Sequence, residues 1–336
     1  MVSDFLLDGA TFAHPQASAA VLAEMSYAPV GALFAKGYIA LGVGPDALVW
    51  IGQFFYWTHI SALLFFMNYL PYSKHMHVLT VFPNVLFYND KADAGYPLTT
   101  PPDLEAEFEK EAPEIGACKL EDLNWSNILN AYTCTECGRC TLNCPAHLTE
   151  KPLSPKAVME VWKHHIDEVE PFVLGKKTAE EREAITPMIA QIKPEVIWSC
   201  TTCRSCEENC PVMNEYVSQF VEMRRYLTMM EGDFPSELNG VFKNLENKSN
   251  PWGLPVGERD KWCEDLNVPK MADWSKDHEA PPEYLFWVGC AGAYDDASIK
   301  TARAIVKILN AAGVEFAILG KEEGCTGDVA RRLGNE

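Results

Sequence analysis

Basic residues are scarce in this 336-residue chain: 28 Lys and Arg stand against 47 Asp and Glu, a formal charge of −19. That balance excludes nucleic acid as a partner class, because phosphate backbones are held by surplus cations. A glycine-rich phosphate loop is missing too, so flavin or nicotinamide chemistry is expected to reside elsewhere. The first sixteen residues lack the basic n-region of a secretory signal, and no small-residue cleavage site follows. Long uncharged runs are few. The clearest is 49–70, "VWIGQFFYWTHISALLFFMNYL", which carries no formal charge. At 1.5 Å per residue a helix of this run crosses a hydrocarbon core of ~30 Å. Trp50, Tyr56, Trp57, Tyr69 and Tyr72 supply interfacial aromatics. The competing reading is a buried helix of a soluble domain. The stretch 17–43 is apolar but broken by Glu24, Pro29, Lys36 and several glycines, as in a partly inserted or interhelical segment.

Composition divides the chain into five parts. Residues 1–88 are apolar and aromatic and read as a membrane segment. Residues 89–123 are acidic with a Pro-rich turn and read as a solvated linker. Residues 124–250 hold paired cysteine motifs among helical patterns; Ser154 and Pro155 are suited to start one helix as N-cap and first residue. Residues 251–282 read as an irregular connector. Residues 283–336 switch to an α/β pattern. The fold class expected is therefore multidomain: a transmembrane helical segment, a mainly α two-cluster ferredoxin domain, and an α/β cysteine-rich half-domain.

Twelve cysteines are many for a reduced protein and few for a small disulfide scaffold, so spacing decides between them. Residues 134–145 read "CTECGRCTLNCP" and 200–211 read "CTTCRSCEENCP". Cys-x-x-Cys-x-x-Cys lets one tight loop present three sulfurs to three irons of a cube. In two-cluster ferredoxins the cysteine of the closing Cys-Pro ligates the other cluster. Applied here, Cys134, Cys137, Cys140 and Cys210 hold one [4Fe–4S] cluster, and Cys200, Cys203, Cys206 and Cys144 hold a second. Gly138 is expected to let the backbone pass close to the cluster, while Arg139 and Arg204 either tune a potential or are solvated charges. Disulfides do not require a repeated spacing closed by proline, and tetrahedral zinc leaves the third cysteine of each triplet unexplained. About residues 124–225, this pairing resembles the helical two-cluster domain of succinate dehydrogenase-like and heterodisulfide reductase-like iron–sulfur proteins. The resemblance implies electron transfer and names no substrate.

Near the end, "YLFWVGC" and "VEFAILG" read as buried strands flanking a helix from Ala297 to Ala312, capped by Asp295 or Asp296 and closed by Gly313. Ala302, Ile305, Leu309 and Ala312 are expected on its inner face. Cys290 and Cys325 fall at or beyond the strand ends, where parallel sheets place ligands. They are either buried structural cysteines or a site. They resemble the first half of a cysteine-rich domain that accompanies such ferredoxin domains. That domain carries a Cys-Cys-Gly where this chain reads Cys325-Thr326-Gly327. The missing ligand implies a cubane third cluster over a non-cubane one, incomplete with these two thiolates. Cys118 and Cys263 have no motif around them and read as ordinary cysteines.

His59 and His77 lie eighteen positions apart. On a single helix that is about five turns and ~27 Å, which puts both on one face, with Pro71 between them placed to kink it. Imidazoles at two membrane levels suit one axial ligand for each of two b-type haems; a plain polar edge in "PYSKHMH" is the alternative. "WTHISALLFFMNYLPYSKHMHVLTVFPNVLF" resembles the last transmembrane helix of the cytochrome b subunit of respiratory nitrate reductase, which implies haem ligation at His59 and His77. The partner histidines of that family lie on earlier helices, so the chain is expected to be a piece of a longer protein at both ends.

The whole order, together with the "CTGD…ARRLGNE" run, resembles the membrane-bound iron–sulfur oxidoreductases related to heterodisulfide reductase, nearest to electron-transfer-flavoprotein:menaquinone oxidoreductases. The resemblance implies a relay from a soluble donor, an electron-transfer flavoprotein, through clusters and haems to a quinone in the lipid bilayer. Lys74 and the soluble cluster region imply that the cluster domains face the cytoplasm at the cytoplasmic membrane. A thiol–disulfide enzyme working at Cys290 and Cys325, and a non-catalytic electron wire, remain as alternatives.

Overall fold

The computed structural model describes residues 2–88 and 103–336. The first part of the acidic linker, 89–102, with its Pro-rich turn, lies outside the described residues. The chain forms two compact units, Met1–Phe82 and Pro83–Glu336.

The first unit is helical. Helix Val2–Ala13 packs against Pro29–Ala40 and Pro45–Tyr69. Pro29 and Pro45 each stand at a helix start, where a missing N–H costs nothing. Small residues make the crossing close: a Cβ on Gly9 would come within 2.5 Å of Phe34, and one on Gly31 within 2.7 Å of Asp8. Helix packing through small residues is the habit of membrane bundles. Pro45–Tyr69 is long and apolar enough to cross a membrane, and its apolar stretch is almost wholly uncovered. Trp50 and Phe65 are 73% and 72% exposed. The buried-helix reading therefore finds no covering core within the described residues.

The second unit holds two cores. The larger centres on helix Pro155–Val173, whose Val158, Met159, Trp162, Ile166 and Val169 recur at helical spacing and are buried. Ser154 caps it, accepting from the Ala157 N–H at 3.3 Å, and Pro155 opens it. Met188, Ile192, Ile197, Phe220 and Met223 complete this core. The described end of the linker is not solvated as its charge suggested. Ile115, Ala117 and Leu120 are buried there. Gly116, at φ +78°, allows the segment to lie on the backbone of Tyr226 and Glu222, where any Cβ would clash.

The smaller core joins Trp262, Cys263, Ala293, Ala302, Val306, Phe316 and Ile318. Its two strands, Tyr284–Leu285 and Phe316–Ala317, pair in parallel, Tyr284 opposite Phe316. They are shorter than "YLFWVGC" and "VEFAILG" suggested, and the first is exposed rather than buried. Helix Asp296–Ala312 between them has Asp295 as N-cap and Gly313, at φ +67°, as its stop. Its inner face is Ala302 and Val306, flanked by Ile299 and Leu309; Ile305 and Ala312 are exposed. The sheet is narrow, so the buried stripe is narrower than the four-residue face expected. The segment 251–282, read as an irregular connector, contributes Trp262 and Cys263 to this core, a parallel bridge from Lys270 to Ile318, and helix Met271–Asp277.

Candidate iron–sulfur centres

The two cysteine loops repeat one backbone design. The residue two after the first cysteine has positive φ in each, Glu136 at 55° and Thr202 at 53°. So does the residue two later, Gly138 at 80° and Arg204 at 62°. Three of these four are not glycine and bear a cost of about 1–2 kcal/mol each. Such strain persists where the surroundings fix it. A one-turn helix follows in each loop, Arg139–Leu142 and Ser205–Glu208. The positive φ turns the chain so that main-chain N–H groups face sulfur: Glu136 N–H donates to Cys134 Sγ at 3.4 Å, and Thr202 N–H to Cys200 Sγ at 3.4 Å.

The loops interlock. Cys134, Cys137, Cys140 and Cys210 surround one hollow, with Asn214 and Tyr216 also in its wall. Cys144, Cys200, Cys203 and Cys206 surround a second, walled by Leu153, Val217 and Phe220. Each hollow thus takes three cysteines from one loop and the fourth from the other. Ser205 Oγ ties the loops, donating to the Asn143 carbonyl at 2.8 Å. Twelve free cysteines are present and no disulfide is formed. Among the described residues no three His, Cys, Asp or Glu side chains converge on a point suited to one metal ion. The eight thiols instead ring two open volumes, as polynuclear clusters require.

The surroundings fit an anionic cluster. Burial pushes the Cys134 thiol up to about 11, and pushes Cys200, Cys206 and Cys210 upward as well. Bare thiolates are therefore disfavoured here, whereas iron binding deprotonates a thiol outright. Donors nevertheless point at the sulfurs. Asn214 N–H donates to Cys210 Sγ at 3.3 Å, and Tyr216 Oη to Cys140 Sγ at 3.6 Å. Donors of this kind stabilise cluster-bound thiolates and raise potentials. Cys137 is exposed; burial opposes its ionisation, but the Arg139 N–H and charge bring its thiol below the ordinary value.

Several supporting residues have no spacing that announces them. Glu207 is 4% exposed, and one carboxylate oxygen accepts from the Tyr216 and Val217 N–H groups, both at 2.7 Å. It thereby caps helix Val217–Arg225 and fixes Tyr216 beside Cys140. Its other oxygen lies 2.5 Å from Arg204 Nε as an ion pair. Asn84 donates to the Val212 carbonyl at 2.8 Å and to Asn214 Oδ1 at 3.2 Å, bracing the chain after Cys210. Arg332 reaches the second loop, donating to Thr202 Oγ1 at 2.9 Å.

Cys325 lies close enough to Cys290 to act on its thiol. Cys290 lies at the start of helix Gly289–Tyr294. Burial raises its thiol, Arg259 opposes that, and Cys325 adds to it. The Arg259 guanidinium stands 3.6 and 3.7 Å from Cys290 Sγ. Arg259 and Glu323 form a fully buried ion pair at 2.7 Å, and Glu323 also accepts from the N–H groups of Val288 and Gly289. Neither Arg259 nor Glu323 carried a sequence signal. Cys118 and Cys263 stand apart from the hollows; Cys263 is buried with Sγ 3.2 Å from the Asp260 carbonyl.

The single-helix argument for the two histidines is overturned. Helix Pro45–Tyr69 gives way to short 3₁₀ turns at Leu70–Tyr72 and Lys74–Met76, and His77 begins a separate helix, His77–Leu86. Pro71 cannot donate to the preceding turn, and extended Ser73 caps the next one through the His75 N–H. His59 Nδ1 lies 3.0 Å from Asp4 Oδ1 and 3.2 Å from Ser3 Oγ. His77 Nδ1 lies 2.9 Å from the Lys74 carbonyl.

Comparison with known proteins agrees with the geometry. A 4Fe-4S dicluster domain model matches residues 126–211, and a cysteine-rich domain model matches 284–336. The chain is 38% identical over 332 residues to a probable iron–sulfur-binding oxidoreductase, FadF, of Bacillus subtilis, covering 89% of this chain and 46% of that protein. It is 34% identical to an EtfAB:quinone oxidoreductase of Syntrophomonas wolfei, over 93% of this chain and 45% of that protein. One polypeptide of the dihydromethanophenazine:CoB–CoM heterodisulfide reductase of Methanosarcina acetivorans is 27% identical over 67% of this chain and 52% of its own length. The chain thus spans about half the length of the curated relatives it matches. No solved structure gives a significant match.

Proposed function

Because the chain belongs to the iron–sulfur oxidoreductases related to heterodisulfide reductase, we propose that it is an electron conduit between a soluble donor and a membrane quinone. The observation that carries the proposal is the crossed arrangement of eight thiols around two hollows. Cys134, Cys137, Cys140 and Cys210 hold the first [4Fe–4S] cluster, and Cys200, Cys203, Cys206 and Cys144 the second. Bound clusters supply one-electron storage without proton transfer. The protein's part is to hold and tune them. The N–H groups of Glu136, Thr202 and Asn214 and the Tyr216 hydroxyl stabilise thiolate charge, while Leu153, Val217 and Phe220 exclude water from the second hollow.

Cys290 and Cys325 supply two ligands of a third iron–sulfur site, with Arg259 as neighbouring cation. In the first unit, His59 and His77 are the haem ligands on this chain. Each imidazole has an acceptor at Nδ1, a carboxylate for His59 and a carbonyl for His77, so Nε2 is the atom that would meet the iron. Metal-ligating histidines are oriented by partners of this kind. Helix Pro45–Tyr69 anchors the protein in the bilayer, with the cluster domains on the cytoplasmic side. An electron-transfer flavoprotein is the proposed donor, as the name of the Syntrophomonas wolfei relative indicates for that protein.

Anaerobic reconstitution of the full chain tests the cluster assignment. About eight irons and eight sulfides per chain in the paired motifs are expected; zinc or disulfides at those positions refute it. A reduced-minus-oxidised optical spectrum of the membrane-embedded protein tests haem, and oxidation of a reduced electron-transfer flavoprotein with a menaquinone analogue tests the partners.

A further inference from the structure

We infer that Arg224 is the counter-charge of the second [4Fe–4S] cluster, a positioning residue that favours the cluster's reduced state. The inference rests on the assignment of Cys200, Cys203, Cys206 and Cys144 as that cluster's ligands.

Arg224 is 3% exposed. One terminal nitrogen donates to the carbonyl of Ile197 at 2.9 Å and to that of the ligand residue Cys200 at 2.5 Å. The other donates to the Arg332 carbonyl at 3.0 Å. Its Nε has no partner, and its guanidinium lies over the Trp198 ring at 5.2 Å. All its hydrogen bonds are to neutral groups. The other buried guanidiniums of this unit are treated differently. Arg225, the next residue, pairs with Glu222 and Glu336, and Arg259 pairs with Glu323; the half-buried Arg204 likewise pairs with Glu207.

A buried cation without an anion costs several kcal/mol even after relaxation, and carbonyl dipoles offset only part of that. A cubane cluster held by four thiolates is negative in both redox states. It becomes more negative on reduction. Placed behind the Cys200 main chain, Arg224 gains its missing partner from the cluster, and its attraction is greater for the reduced form. The first hollow has no buried equivalent among the described residues; Arg139, whose charge acts on Cys137, is exposed to solvent. The lysine in its wall, Lys156, pairs with Glu160 at 3.2 Å, and Lys163 pairs with Glu136 at 3.3 Å. The tuning is therefore specific to one cluster. Arg224 also receives helix Asp328–Arg332 through the Arg332 carbonyl, so docking of that helix helps hold the guanidinium in place.

The test is a redox titration of the reconstituted full chain followed by electron paramagnetic resonance, with Arg224→Met and Arg224→Lys beside the wild type. Arg224→Met is expected to lower one cluster's potential by at least a tenfold shift in its reduction equilibrium, 59 mV for one electron. The other cluster stays unmoved, and the shifted signal is the one that Cys203→Ser abolishes. Arg224→Lys is expected to retain most of the wild-type value. Equal potentials in all three proteins overturn the inference, as does an equal shift in Met and Lys variants. If Arg224→Met loses the second cluster while Arg224→Lys keeps it, charge compensation is upheld; if both lose it, the residue is structural and the inference falls. A wild type without two cubane signals sinks the ligand assignment instead.

Discussion

Glu207 links the two cysteine loops through Tyr216. It sits in the second loop, one residue after Cys206, yet its carboxylate holds the main chain of Tyr216 and Val217. Tyr216 in turn bonds Cys140 of the first loop. Replacing Glu207 by Ala strands two buried N–H groups at a helix start, at about 1–3 kcal/mol each. It also leaves the Arg204 guanidinium, whose side chain is 14% exposed, without its carboxylate. The two N–H groups alone sum to about 2–6 kcal/mol. Glu207→Gln keeps an acceptor and loses only the charge, so about 1–3 kcal/mol is expected. Cluster loss makes unfolding irreversible, so the measurement is the half-life of the visible cluster absorbance under anaerobic heating. Each 1.36 kcal/mol of lost barrier shortens it tenfold. The reasoning assigns the damage to the first cluster as well as the second, through Tyr216. A Glu207→Ala half-life within twofold of wild type, with both resonance signals intact, refutes it.

Cys210→Ser is expected to abolish the cluster of the 134–140 loop, and Cys144→Ser that of the 200–206 loop; loss of the cluster of the mutated residue's own loop instead, read by resonance and iron content, contradicts the crossing. His165 is fully buried with Nδ1 3.2 Å from the Gln191 amide and Nε2 unpartnered, and burial holds its pKa below the ordinary value. The unfolded chain therefore takes up this proton first, so the stability it secures is full above the unfolded pKa of about 6.5 and declines as pH falls toward the lower folded value. Denaturation at pH 7 and pH 5 is expected to show a smaller loss for His165→Gln than for wild type. Gly334 has φ +76°, and a Cβ there would lie 2.3 Å from the Arg225 nitrogen. Gly334→Ala is expected to undock segment 328–336 at a cost above the ~1–2 kcal/mol of left-handed strain alone, seen as faster limited proteolysis there with the first cluster unchanged.

Some of this site was legible because its chemistry is local. Three thiolates on one loop demand the two-residue gaps of 134–140 and 200–206, and a spacing is a property of sequence. Helix Asp296–Ala312 was legible for a similar reason: Asp295 and Gly313 announce its ends. Arg224, Glu207, Arg259 and Glu323 were not. Each is one charged residue in a stretch with many, and only burial sets it apart. The break between His59 and His77 was half-legible. Pro71 was visible, but whether a helix kinks and continues or stops depends on the cap that Ser73 provides.

The order of residues alone determined that this chain carries a duplicated three-thiol loop and a membrane-length apolar helix, because both follow from short-range spacing and from local hydropathy. The tertiary fold decided which cysteines share a hollow, which guanidinium is left without a carboxylate, and which N–H groups face sulfur. Those are contacts between residues far apart in the chain. They exist only once burial has removed water as the competing partner.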